Sequence, residues 1–370
     1  MENKMKAYQI SPFIVFFMVS SAQVGVGILG FERVIAKVAG YNGWMSVIWA
    51  GILVHVIIYF IYRMFKDDDS MDLKKIQDET FGKWIGGAFN LLFALYFAFS
   101  GFTILRTYLE VIQVWMFPKI HPWFAYLLFA FPIYRAVSGG FRVVAGMCFF
   151  GFVLPYWLFF TIIIPLKYGD WTNLLPLLNH PIKDLWEGTK AMSLTYVGYE
   201  TLLVYYPYIR NPKKSHKYAQ WSALHTMILY LLTCIATFVF FSAEQLQSTV
   251  WAHLSMTKII QFSFIQRFEY IKVSWWILVV IPNIMLLLWC ASKLVKHTLK
   301  VNQRYPTWFF MGVYFLCMFV VDDRGKIDML NNYNGKVGFW IVYVYIPVLF
   351  LIRMTMSKVK GKNKHEIHQA

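Results

Sequence analysis

Ser20-Ser21-Ala22-Gln23-Val24-Gly25-Val26-Gly27-Ile28-Leu29-Gly30 interrupts the first long apolar stretch of this chain with small residues, and Gly198-Tyr199-Glu200 interrupts the sixth. Glycine lets the backbone leave helical geometry and approach another group without side-chain hindrance. In hydrocarbon a freed N–H or C=O is costly, so a helix broken at mid-depth marks backbone that lines a cavity or holds a ligand. Breaks at corresponding positions of two halves are the pattern of a transporter-type site. Glycines also serve close helix packing; the partner break in the sixth stretch favours a ligand site over that plainer reading.

The surroundings of the two breaks are apolar. Of 370 residues, 58% are hydrophobic, 19% aromatic and 15% charged, too apolar for a soluble surface to cover, which implies an integral membrane protein. Stretches of about 20 residues match a ~30 Å hydrocarbon layer, so helices are implied, and the ten-residue alternation of an outer-membrane barrel is missing. Ten spans are expected near 10–31, 43–65, 84–116, 122–135, 142–166, 185–208, 216–241, 267–296, 306–321 and 338–356. The fold class is all-α, one transmembrane domain over 1–370 with a first repeat in 1–170, a second in 171–356 and a basic cytoplasmic tail in 357–370. Five spans per half make the halves inverted, with helices 1 and 6 broken. The first stretch follows Lys4 and Lys6 without a small-residue cleavage site and reads as a retained span.

A formal charge of +16 raises the question of nucleic acid, but its distribution answers it. Lys and Arg in and beside the connections number 22 on the side of the N-terminus and 11 on the other, which places both termini in the cytoplasm. Lys213-Lys214 and Lys358 to Lys364 adjoin span ends, where they meet anionic headgroups of the membrane lipids. Cys148, Cys234, Cys290 and Cys317 are single and lie in apolar stretches, with neither disulfide nor metal spacing. A short amphipathic helix is expected in Asp67 to Phe81, an outer helix on the membrane surface or on a partner in Ala243 to Phe264, and a long connection through Asp322-Asp323-Arg324.

Candidate ligand-binding residues follow from the breaks and from depth. They are Val24, Gly25, Val26, Gly27 and Ile28 in the first span and Tyr196 and Gly198 in the sixth. Tyr96 and Ser100 in the third span and Asn283 in the eighth fall at the same level. Glu200 is a carboxylate near the bilayer centre, so it must be paired, protonated or facing water. A proton-linked switch, a polar anchor at the unwound segment and a fixed cap for the freed helix end all fit it. Arg106 and Glu110 stand four apart and predict an ion pair on one helix face; His55 reads as hydrogen-bonded packing. No catalytic grouping, metal motif or phosphate loop occurs, so neither enzyme activity nor a cofactor is expected.

The chain resembles the B subunit of bacterial spore germinant receptors, the spore-permease branch of the amino acid, polyamine and organocation transporter superfamily. The likeness rests on Val24-Gly25-Val26-Gly27-Ile28-Leu29, on Gly198-Tyr199-Glu200 followed by Tyr206-Pro207-Tyr208, on the basic exit Asn211-Pro212-Lys213-Lys214 and on the compact ten-span length. One departure is Phe31-Glu32-Arg33, where many relatives place a proline before a basic residue. The resemblance implies that spans one, three, six and eight surround a small nutrient, a neutral amino acid above all. It also implies an A subunit and a C lipoprotein subunit as partners, in the inner membrane of the spore. Two function classes stay open, a germinant sensor and an amino-acid permease coupled to protons or another ion.

Overall fold

The computed structural model describes residues 9–66, 68–176, 181–261 and 266–367. Lys4, Lys6, Asp67 and Phe264, which entered the expectations above, lie outside the described residues, as do the side chains from Ser357 onward. The helices, in chain order, are α1 (Ile14–Gln23), α2 (Phe31–Ala39), α3 (Gly43–Met64), α4 (Leu73–Trp115), α5 (Pro122–Ser138) and α6 (Phe141–Val153). Then come α7 (Trp157–Phe160), α8 (Ile163–Leu166), α9 (Ile182–Tyr196), α10 (Leu202–Tyr205), α11 (His216–Phe240), α12 (Ala243–Ser248) and α13 (Ala252–Met256). Helices α14 (Phe268–Leu299), α15 (Arg304–Val320), α16 (Arg324–Phe339) and α17 (Ile346–Ile367) complete the chain, the last two joined by the π-helical Trp340–Tyr345.

Among the described residues, six helical stretches are long and apolar enough to cross a membrane: Phe31–Met64, Leu73–Trp115, Phe141–Leu166, Pro212–Phe240, Phe268–Leu299 and Arg324–Met356. They differ in enclosure. In α14, 72% of the apolar window is buried inside the protein, against 22% in Phe141–Leu166 and in Arg324–Met356, so α14 is the axis and the latter two turn most of their surface outward. Helix α14 packs along α4, and both pass the interruptions of the first and sixth expected spans. The first interruption separates α1 from α2; the second separates α9 from α10. At one end the two broken segments are tied together, Ile10 N–H donating to Tyr208 O and Arg210 N–H to Ile10 O, each at 2.8 Å.

One of three expectations about the connections is met and two change. The segment before the third span forms the short helix expected there: Asp72 caps it by accepting from Lys75 N–H at 2.9 Å, and at Gly82, whose φ of 81° suits only glycine, the chain leaves helical geometry before α4 continues as the third span. The connection between the seventh and eighth spans is not a surface helix. It breaks into α12 and α13, and Leu246 and Leu254 are fully buried, because apolar residues that seemed destined for lipid pack on the protein instead. Finally, the connection at Asp322-Asp323 is short: Asp323 accepts from Lys326 N–H at 2.9 Å and caps α16, which starts at Arg324 rather than near residue 338. The cysteines are free, three of them buried.

Candidate functional site

The break after α1 exposes carbonyls, and three side chains from two other helices, α11 and α14, meet them. Asn283 Nδ2 donates to Ala22 O at 3.0 Å, Tyr230 OH to Gln23 O at 3.0 Å and Trp276 Nε1 to Gly25 O at 3.1 Å. The opposite polarity is left open: the N–H groups of Gly25, Val26, Gly27 and Ile28 find no acceptor among the described residues. Backbone donors without acceptors are the groups that suit an anionic ligand.

The second break has its glycine matched from within and from α1. Gly198 N–H donates to Glu200 Oε2 at 2.7 Å, Thr201 Oγ1 donates to Gly198 O at 2.7 Å, and Gln23 Nε2 reaches across from α1 to Tyr196 O at 3.2 Å. The other oxygen of Glu200 accepts from Tyr96 OH at 2.7 Å. Glu200 thus bridges α4 and the freed helix end through two hydrogen bonds. Gly198 has φ 123°, and a Cβ there would stand 2.2 Å from Ala22 O. Its glycine lets the two breaks touch.

Between the breaks lies a cavity of about 650 Å³. It is bounded at its inner end by Ala22, Gly25, Val26, Gly27, Gly198, Glu200 and Asn283, on one side by Tyr96 and Ser100, and it reaches the surface near Val34 and Lys37. Eight of the eleven expected site residues therefore meet here. Val24 faces a separate space of about 10 Å³ beside Ser20, Ser21 and His225; Ile28 is fully buried; Tyr196 is buried edge-on against Tyr230 and donates to Val47 O at 3.4 Å. Those three do not line the cavity.

Other residues were not anticipated. Helix α16 supplies Asn331, Asn332 and Asn334, with Ser100 Oγ donating to Asn334 Oδ1 at 2.7 Å and Asn331 Nδ2 donating to Thr107 Oγ1 at 3.0 Å. The run Asn331-Asn332-Tyr333-Asn334 is the signal that could have found them. The expected Arg106–Glu110 pair does not form: Arg106 Nε donates to Val321 O at 2.6 Å, and Glu110 pairs with Arg324 at 2.6 Å, because the capped start of α16 offers both charges better partners. Arg324 lies at the cavity's outer part, its guanidinium 5.4 Å from the Trp251 ring. His55 bonds Gln220, in keeping with its packing role.

The profile of the spore germination proteins matches residues 9–327. The chain is also 43% identical over 353 residues to spore germination protein GerQB of Bacillus cereus, covering 95% of this chain and 98% of that one. The chain belongs to the spore germination protein family. More distant members include spore germination protein A2 of Bacillus subtilis strain 168, 23% identical over 98% of this chain and 100% of its own length. Spore germination protein GerLB of Bacillus cereus is 20% identical over 94% of this chain and 95% of its own. With its apolar helices, this member of the family is a germination-related integral membrane protein.

Proposed function

We propose that this germination protein senses a small nutrient, a neutral amino acid, bound with its carboxylate on the free N–H groups of Gly25, Val26 and Gly27. The observation that carries the reading is the asymmetry of the broken first span: its carbonyls are matched by Asn283, Tyr230 and Trp276, while Gly25, Val26 and Gly27, whose N–H groups have no acceptor among the described residues, line the cavity. In low dielectric, oriented backbone donors bind a carboxylate without a salt bridge. Glu200, already holding two donors, acts as a cap rather than as the ligand's partner.

The fold we infer is ten spans in two inverted five-span repeats, 1–170 and 171–356, followed by the basic tail. Five short or broken helical segments complete the spans that length alone does not identify. The protein sits in the spore inner membrane with both termini cytoplasmic, as the B-type subunit beside an A subunit and a C lipoprotein. A sensor needs only different affinities for ligand in two states, whereas a permease must also return empty. Uptake of radiolabelled neutral amino acids into vesicles containing the full chain separates the two: binding without accumulation supports sensing, and accumulation above the medium level supports the permease.

A further inference from the structure

One charge inside the spans serves neither the cavity nor the packing. Lys336 lies in α16, and the contacts of that helix with α4 fix its depth. Asn331 Nδ2 donates to Thr107 Oγ1 at 3.0 Å, Ser100 Oγ donates to Asn334 Oδ1 at 2.7 Å, and a Cβ at Gly338 would stand 3.2 Å from Tyr96 OH. Lys336, between Asn334 and Gly338, is therefore level with Tyr96 to Ser100, the middle of the third span and the level of Glu200. Along the helix it stands about 18 Å from Arg324 and about 25 Å from Arg353, too deep for its side chain to carry the charge to either surface.

The side chain also faces away from the protein. Ile327, Gly335 and Gly338 of α16 are buried, and Lys336 is exposed on the opposite face together with Met329, Tyr333 and Trp340. Other charges within the spans have partners: Glu200 holds Tyr96, Arg106 the Val321 carbonyl, Glu110 Arg324 and Lys272 His253. Lys336 has neither a hydrogen bond nor an ion pair among the described residues. A lone ammonium facing hydrocarbon at this depth is costly, and membrane proteins pair such groups.

We propose that the outward face of α16 docks a membrane-spanning helix of a different chain, the A subunit, which presents a carboxylate to Lys336. Opposite charge is the complement that an ammonium requires where water is absent. Asn332, one turn away and also exposed, offers a second polar contact of the kind that joins helices in lipid. A second copy of this chain does not supply the carboxylate. Among the described residues Glu32, Glu110, Glu200 and Glu269 are at most 6% exposed, and the other carboxylates lie in connections or within two turns of a helix end, away from this depth. The charge argument stands without the ligand reading; the choice of the A subunit as the chain rests on the subunit reading.

The test uses the full chain in lipid vesicles, with a fluorescent donor at its C-terminus. Its probe is an acceptor-labelled polyleucine helix of about 20 residues carrying one central Glu, compared with the same helix carrying Gln. Energy transfer to the Glu helix is expected to half-saturate at an about fivefold or more lower peptide-to-lipid ratio, and Lys336→Leu removes the difference. Equal association of the two helices with the parent, or a preference for Glu that survives in Lys336→Leu, overturns the proposal. Lys336→Leu itself is expected to melt no lower than the parent; a fall in melting temperature assigns Lys336 to the fold and also overturns it. Co-expressed with the A subunit, Lys336→Glu is expected to recover at least about fivefold less of it in detergent than the parent does, and unchanged recovery overturns the proposal. An A subunit that the parent itself fails to recover sinks only the subunit reading, and the comparison of the two helices then decides.

Discussion

The two helix breaks look alike as glycine interruptions and are built for different work. The break at Gly198 is matched at its glycine: its N–H goes to Glu200, its carbonyl to Thr201, and the Tyr196 carbonyl to Gln23. The break at Gly25 has its carbonyls matched, while Gly25, Val26 and Gly27 line the cavity with N–H groups that find no acceptor among the described residues. The lesson is that a glycine interruption identifies an unwound segment but not its use; what decides is which polarity of the freed backbone is left unmatched. On this account the second break is a joint on which the first is mounted.

Substitutions separate the two most sharply at the glycines. Gly198→Ala places a Cβ 2.2 Å from the Ala22 oxygen and forces a side chain onto φ 123°. The backbone conformation alone costs about 1–3 kcal/mol, and the overlap adds to it. The expected result is loss of folded protein, seen as collapse of the monodisperse peak in size-exclusion chromatography. Retention of a normal peak would break the distinction between joint and site.

Next in size is the cap. Glu200→Ala leaves two buried donors, Tyr96 OH and Gly198 N–H, unmatched, at about 1–3 kcal/mol for each. Tyr96→Phe removes one donor from the carboxylate and is expected to have roughly half that effect on the unfolding free energy. Thermal denaturation of the two variants checks the ratio. An unchanged melting temperature in Glu200→Ala would return Glu200 to the proton-linked switch that its depth also allowed.

Smallest in stability is Gly25→Leu. A Cβ at Gly25 meets only the end of the Asn283 side chain at 3.2 Å, so the fold absorbs the change within about 1 kcal/mol. The isobutyl group then fills the space in front of the free donors. Binding is expected to fall by an order of magnitude or more with little change in melting temperature, the reverse of the Gly198 result.

Much of this was legible along the chain, for a physical reason. Gly25, Gly27 and Gly198 break apolar helices, and a carboxylate such as Glu200 in hydrocarbon must have partners, so one-dimensional signals mark both breaks. Counting depth placed Tyr96 level with Glu200, where its hydroxyl is found 2.7 Å from the carboxylate. What stayed hidden is set by pairs far apart in sequence. Gln23, Trp276 and Tyr230 are unremarkable until the fold brings them to carbonyls. Arg106 and Glu110 satisfy a helical spacing rule, yet the start of α16 outbids each for the other. Tyr196 has the right depth but the wrong face, turned toward Tyr230 rather than the cavity.

The most direct test of the open donors is a melting-temperature screen of the purified full chain against neutral amino acids, each beside its methyl ester. A ligand that binds only the folded state raises stability by about 2.7 kcal/mol at one hundred times its dissociation constant. The account predicts that at least one neutral amino acid raises the melting temperature, that its ester, lacking the carboxylate, binds at least about tenfold more weakly, and that Gly25→Leu abolishes the shift. An equal shift with acid and ester, or no shift with any neutral amino acid, would contradict it.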